Sequence, residues 1–200
     1  MMKKKINYST CRKNKIRKLL LEQGQLLSDK FFLEADLIIQ RSIIEKINIE
    51  TSKNNLLYFP FRKEAKLDLL IKEINSYSNN IYIPRILKNK KMKFNLLQEN
   101  SILEKNKFGI NEIMSEDFID PFLFDTMFIP FVGVDINGHR IGYGGGYFDR
   151  ALSSLIHKKD KKPLIIGLGY DYQILDKKLS EPHDLKYDLV ATESRILSYS

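Results

Sequence analysis

The sequence predicts an α/β fold, a single three-layer domain with a mostly parallel central sheet flanked by helices. Three observations carry that expectation. Short continuous apolar runs recur at 56–61, 126–132 and 164–168, and runs of this kind read as strands buried on both faces. Segments with apolar residues at helical spacing lie between them, and alternating strands and helices build a parallel sheet with helical layers. A chain of 200 residues suits one domain and buries about 70% of its unfolded surface.

Taken in order, Ile16, Leu19, Leu20 and Gln23 follow helical spacing, so a first helix is expected over 10–23, stopping near Gly24. Ser28 suits the N-cap of a second helix, with Phe31, Ala35, Ile38, Ile39, Ser42 and Ile43 on its inner face. The run 56–61 reads as a strand, Leu67, Leu70, Ile71 and Ile74 mark a helix, and 81–84 reads as another strand. Residues 86–123 are Lys/Asn-rich and weakly periodic, which points to a hairpin excursion and loops. A strand over 126–132 leads to a turn at 135–138, a glycine-rich loop at 142–146 and a helix over 147–156. Two further strands are expected at 164–168 and 187–191. Ligands of such sheets sit outside the carboxyl ends of the strands.

Charge narrows the function classes. The net charge is +8, yet the first twenty residues hold eight Lys or Arg and no acid, leaving the other 180 balanced at 25 against 25. A nucleic-acid binder spreads its excess over a face or stripe, so a neutral body with a basic front end argues against one. Residues 1–9 read as a flexible basic tail. Cys11 is the single cysteine, which excludes an intramolecular disulfide and a cysteine zinc site; it reads as an incidental thiol. No apolar run approaches the eighteen or so residues of a membrane span, and 1–15 lack the apolar core of a secretory signal. A cytoplasmic location is expected.

The chemistry concentrates at Gly138-His139-Arg140-Ile141-Gly142-Tyr143-Gly144-Gly145-Gly146-Tyr147-Phe148-Asp149-Arg150. Four glycines in five positions, between a strand and a helix, clear side chains from where a ligand must approach the backbone. They leave N–H groups to point one way, and the following helix adds its positive end. Arg140 and Arg150 bracket this loop with charge, and Asp149 stands where a magnesium ion beside phosphates would need a ligand. No Gly-Lys-Ser/Thr follows, so this is no Walker loop, and Tyr147 stands where a dinucleotide fingerprint would have its third glycine.

The run from Ile129 through Pro130-Phe-Val-Gly-Val-Asp-x-x-Gly-x-Arg-Ile-Gly-Tyr-Gly-Gly-Gly-Tyr-Phe-Asp-Arg150 resembles the signature of the 5-formyltetrahydrofolate cyclo-ligases, also called methenyltetrahydrofolate synthetases. The resemblance extends, in order and spacing, to Lys13-x-x-x-Arg17, to 59–64, to Ile83-Pro84-Arg85 and to 182–193.

It implies an ATP- and Mg2+-dependent conversion of 5-formyltetrahydrofolate into 5,10-methenyltetrahydrofolate, with release of ADP and phosphate. The formyl oxygen is phosphorylated, the neighbouring folate nitrogen attacks that carbon, and ring closure expels phosphate. No covalent protein nucleophile is needed. By resemblance, ATP would be bound by Lys13, Arg17, Arg140, Ile141, Gly142, Tyr143, Gly144, Gly145, Gly146, Tyr147, Phe148 and Arg150. Folate would be bound by Phe59, Glu64 and Tyr147, and magnesium by Asp149 and Asp184. The partners are then a small-molecule folate and ATP, with no nucleic acid or membrane, and the protein is expected to be a monomer.

The chain departs from the family pattern at Lys66 and Leu67 after Glu64, at Ile110-Asn111-Glu112-Ile113 where a Pro-containing loop is usual, at Phe148 for Tyr and at Val134 for Phe. None removes a charge that the chemistry needs. Two alternatives stand beside the enzyme: a nucleotide-binding protein that has lost folate turnover, and a nucleic-acid module using residues 1–20 as a basic arm.

Overall fold

A computed structural model describes residues 8–156, 163–181 and 184–199. Its helices are α1 (Tyr8–Leu26), α2 (Asp29–Lys46), α3 (Asp68–Ser76), α4 (Tyr147–Ala151) and α5 (Ser153–Ile156). Its strands are β1 (Asn54–Leu56), β2 (Asn80–Ile86), β3 (Met92–Leu96), β4 (Leu103–Lys105), β5 (Asn111–Ile113), β6 (Thr126–Ile129), β7 (Gly133–Val134), β8 (Arg140–Ile141), β9 (Leu164–Leu168), β10 (Leu189–Ala191) and β11 (Ile196–Ser198). Seven strands form one sheet in the order β11-β10-β9-β6-β1-β2-β3. The inner five run parallel, and β3 and β11 close the two edges antiparallel. β4 pairs with β5, and β7 with β8, in small hairpins outside it.

The two-residue alternation of the strands builds two cores. Ile81, Ile83, Phe128 and Ile166 face α2 and α3, meeting Phe32, Ala35, Ile39, Ile43, Leu70 and Ile74. Met127, Ile129, Ile165 and Val190 point the other way, onto Phe148, Leu152 and Leu155. The expected three layers are therefore present.

Several boundaries differ from expectation for identifiable reasons. α1 runs on through Gly24 and starts at Tyr8, inside the stretch expected to be tail; residues 1–7 and the side chain of Cys11 lie outside the described residues. Gly24 is a packing residue: a Cβ there would meet the Tyr172 hydroxyl at 2.5 Å. On α2, Ile38 is half exposed while Phe32, Asp36 and Gln40 are buried. The polar pair is accommodated because the Tyr170 hydroxyl donates to Asp36 at 2.8 Å and Gln40 serves the next helix. β1 ends at Leu56, short of the expected 61, and β6 ends at Ile129, where Pro130 offers no N–H to the ladder. The expected 147–156 helix breaks at Leu152 into α4 and α5. The last parallel strand begins at Leu189, and β11 is an addition that 187–191 did not announce.

Leu67, at the N-cap of α3, has no side chain able to cap it. Gln40 does so from α2: its wholly buried Oε1 accepts from the N–H groups of Leu69 at 2.8 Å and Leu70 at 3.2 Å. Gln40→Ala leaves both donors unpaired, and a loss of about 1–3 kcal/mol is expected. Urea unfolding should show a lower midpoint at unchanged slope.

Candidate active site

The site lies at the carboxyl ends of β1, β2 and β6, where α1 crosses the loops that leave them. Lys13 and Arg17, one helical turn apart, point from α1 into this region. Lys13 Nζ lies 2.5 Å from Asp184 Oδ2, and Arg17 Nε donates to the Gly142 carbonyl at 2.6 Å. Burial, and then the charge of Arg140 nearby, lowers the pKa of Arg17 from its ordinary value. Two guanidiniums thus converge on one partly enclosed space, an arrangement that an anion would relieve.

The glycines make that convergence possible. A Cβ on Gly142 would sit 2.7 Å from Arg140 Nη2, and Gly144, at φ +97°, lies against the Arg17 guanidinium. Arg140 itself is only 8% exposed. Its Nη1 donates to the Pro130 carbonyl at 3.0 Å and its Nη2 to Asp149 Oδ2 at 3.2 Å, and its guanidinium lies 5.2 Å from the centre of the Phe148 ring. The buried Nε has no hydrogen-bond partner among the described residues. Lys13, Arg17, Arg140, Ile141, Gly142, Gly144, Gly146, Asp149 and Asp184 line a cavity of about 130 Å³.

Asp184 reaches this cavity from a segment that Asp135 holds in place. The Asp135 carboxylate is fully buried and accepts from the N–H groups of Asn137, His139, Leu179 and Ser180 at 2.9–3.0 Å. Burial alone would push its pKa up, but these donors hold it below the usual carboxylate range. A few residues on, the Glu181 N–H donates to Asp184 at 2.6 Å. Sequence reasoning read Asp135 only as the start of a turn. The buried run before Asp-Ile-Asn-Gly carried no sign of its second partner segment.

A second cavity, of about 450 Å³, opens beside the first. Its lining includes Phe59, Glu64, Tyr143, Gly145, Tyr147 and Phe148, all expected site residues, and it shares Arg140 and Gly146 with the smaller cavity. Glu64 Oε2 accepts from the Phe61 N–H at 2.8 Å. Burial raises its pKa from 4.5 to about 7 against the opposing influence of that donor and of Arg140. Arg150 lines neither cavity: it lies outside them, donating to the Gly145 carbonyl at 2.8 Å and resting on the Tyr147 ring. Phe61, Met92 and Phe108 also line the larger cavity and were not singled out as site residues in the sequence, because an apolar side chain carries no sign of whether it faces core or cavity.

The departures noted above divide between core and cavity. Leu67 is buried in the core beneath α2. Ile110, Asn111 and Glu112 line the larger cavity, and Asn111 and Ile113 lie in β5. Non-proline residues there supply N–H groups that a proline could not.

A sequence model of the 5-formyltetrahydrofolate cyclo-ligase family matches residues 9–193. The chain belongs to this family. Among cyclo-ligases so named, the Mycoplasma genitalium protein is 32% identical over 180 residues, covering 89% of this chain and 96% of its own. The mouse protein is 25% identical over 189 residues, covering 90% and 93%. The fold is similar to that of the Aquifex aeolicus 5,10-methenyltetrahydrofolate synthetase, with a TM-score of 0.78 at 24% identity, covering 93% of this chain and 92% of that one. A Mycoplasma pneumoniae 5,10-methenyltetrahydrofolate synthetase superposes at TM-score 0.73 and 23% identity, covering 90% and 98%.

Among the described residues no group of three or more His, Cys, Asp or Glu gathers to enclose a metal. Asp149 and Asp184 nevertheless face the same small cavity. Two carboxylates, completed by waters and phosphate oxygens, are what magnesium ordinarily takes, so this donor set fits that ion.

The raised pKa of Glu64 has a thermodynamic sign. The folded state favours the protonated carboxyl, so its contribution is fully present below the unfolded value near 4.5 and is lost as the pH rises through about 7. Glu64→Gln keeps the acceptor for Phe61 and removes the titration. It is expected to match the parent protein near pH 4.5 and to exceed it at pH 8.5 by up to roughly 3 kcal/mol, seen as a Tm several degrees higher at the alkaline pH only.

Proposed function

We propose that the chain converts 5-formyltetrahydrofolate into 5,10-methenyltetrahydrofolate with consumption of ATP, the triphosphate in the smaller cavity and the folate in the larger. The observation that supports this most is the sharing of Arg140 and Gly146 between the two cavities. One space is lined by cations, glycine backbone and two carboxylates, the other mostly by apolar side chains, and a reacting oxygen and phosphorus can meet only where the two join.

In this reading Lys13 and Arg17 hold phosphate oxygens from α1, and the glycine loop lets the backbone approach them. Arg140 stands at the junction, its unpartnered Nε available to an oxygen that gains charge as the phosphoryl group moves. Asp149 and Asp184 would hold Mg2+, which neutralises charge on the phosphates when bound. The formyl oxygen attacks the γ-phosphorus and ADP departs. The neighbouring folate nitrogen then attacks the activated carbon, its proton is lost, and phosphate leaves as the ring closes. A formamide oxygen is a weak nucleophile, so positioning carries much of the acceleration. Phe59, Tyr147 and Phe148 supply apolar walls that fix the folate, and Glu64, titrating near neutrality, is suited to hold the proton that ring closure releases.

The same reading makes the protein a cytoplasmic monomer acting on small molecules. No helix among the described residues is long and apolar enough to cross a membrane.

Incubation with ATP, magnesium and 5-formyltetrahydrofolate is expected to give methenyl product, followed by its near-ultraviolet absorbance. Asp149→Asn, which keeps an oxygen acceptor for Arg140, should lower kcat about 100-fold or more with the fold retained. Binding of ATP without any product at saturating folate would overturn the enzyme in favour of a nucleotide-binding protein.

A further inference from the structure

The two cavities meet at Arg140 and Gly146, and a second contact joins their walls. In the glycine loop that follows β8, Gly142 and Gly144 line the smaller cavity, while Tyr143 between them lines the larger one. The Gly142 carbonyl is held from α1, accepting from Arg17 at 2.6 Å. Whatever moves the Tyr143 side chain in the larger cavity therefore moves backbone that faces the smaller.

At the wall of the larger cavity, Tyr143 meets the segment that leaves β1. Its ring stands edge-on to that of Phe61 at 5.4 Å. The Arg62 guanidinium lies 4.9 Å from the centre of the Phe61 ring and 5.9 Å from that of Tyr143, so one cation covers both rings. Arg62 forms no ion pair among the described residues, and these ring faces are what its charge meets.

The same segment carries Glu64. The Glu64 N–H donates to the Phe61 carbonyl at 3.2 Å, and the Phe61 N–H donates to the Glu64 carboxylate at 2.8 Å, closing a turn over 61–64. Arg62 is the first central residue of this turn and sits at φ 56°. Glycine adopts such a left-handed backbone freely, whereas a residue with a side chain adopts it at a cost. The two ring contacts offset that cost, and a glycine could make neither. Glu64, Arg62 and Tyr143 also sense one another electrically. Burial, and then the Glu64 charge, pushes the pKa of the Tyr143 hydroxyl up, and Arg62 opposes them.

We propose that Arg62 is a positioning residue that clamps the Phe61–Glu64 turn to Tyr143, so that folate in the larger cavity and nucleotide in the smaller bind cooperatively. This rests on the two-cavity reading of the reaction. Folate in the larger cavity excludes water from the rings and the guanidinium above them, which strengthens a cation–π contact. The glycine loop, tied to the turn through Tyr143, then has less freedom left to lose when phosphates arrive. Coupling of this kind is reciprocal.

The test is titration calorimetry of a non-hydrolysable ATP analogue with Mg2+, in the absence and presence of saturating 5-formyltetrahydrofolate. In the wild-type protein the folate is expected to lower the Kd of the analogue about 5- to 10-fold, and the analogue to lower the Kd of the folate by the same factor. Arg62→Gly and Arg62→Gln should each reduce that factor to below about 2-fold, with the Kd of the analogue alone unchanged. Arg62→Gly also relieves the left-handed backbone, so its Tm should stay within about 3 °C of the parent's, which separates lost coupling from a damaged fold. Independent binding of the two ligands to the wild-type protein, or a wild-type factor that persists in either variant, overturns the clamp. Failure of the wild-type protein to bind the analogue or the folate at all overturns instead the two-cavity reading beneath it.

Discussion

A guanidinium shut away from water must find its compensation within the protein, and at Arg140 that requirement organises the surrounding chain. The carbonyl of Pro130 at the end of β6, the carboxylate of Asp149 in α4 and the ring of Phe148 each supply part of it. β6 stops at Ile129, before a residue without an N–H, so the Pro130 carbonyl lies past the carboxyl end of the strand, where a side chain can reach it. Gly142 then has to lack a side chain, since the Arg140 guanidinium occupies the place where its Cβ would be. Strand end, glycine loop and helix start are thus fixed to one another by a single buried charge. Removing either partner of such a charge is far more costly than losing an exposed ion pair.

The other half of the arrangement comes from far along the chain. Lys13 and Asp184 are separated by 171 positions and meet at 2.5 Å. On the Asp184 side, the carboxylate of Asp135 binds the backbone of residues 179 and 180 to the turn before β8. The basic front end of the sequence is consequently not one functional unit. Lys13 and Arg17 turn inward from α1, while Arg12, Lys15 and Lys18 on the same helix are exposed, and helical periodicity alone separates the two sets.

Much of this was legible in the residues. Ser28 announced its helix because an N-cap needs a short side chain with an acceptor oxygen, and it accepts from the Phe31 N–H at 3.1 Å. The run 164–168 became β9 unchanged because a strand covered on both faces must be continuously apolar. The failures share one cause. Gly24 was taken as a helix stop and Ile38 as an inner-face residue, and in both cases a partner distant in sequence decided otherwise. Tyr172 needs the space over Gly24, and Gln40 and Asp36 are buried because α3 and Tyr170 satisfy them.

By itself, the sequence determined the alternation of strands and helices, the glycine loop and the residue types that converge on it, because backbone freedom, periodicity and charge are local properties. Only the tertiary structure decided that these residues divide between two cavities, and that Arg140 and Gly146 belong to both. That division depends on which loops leave the same end of the sheet and how closely they pass. Burial then gives the side chains there properties that their identities do not contain: Glu64 titrates near 7 and Asp135 stays ionised in the core, because surroundings assembled from distant segments set the cost of their charge.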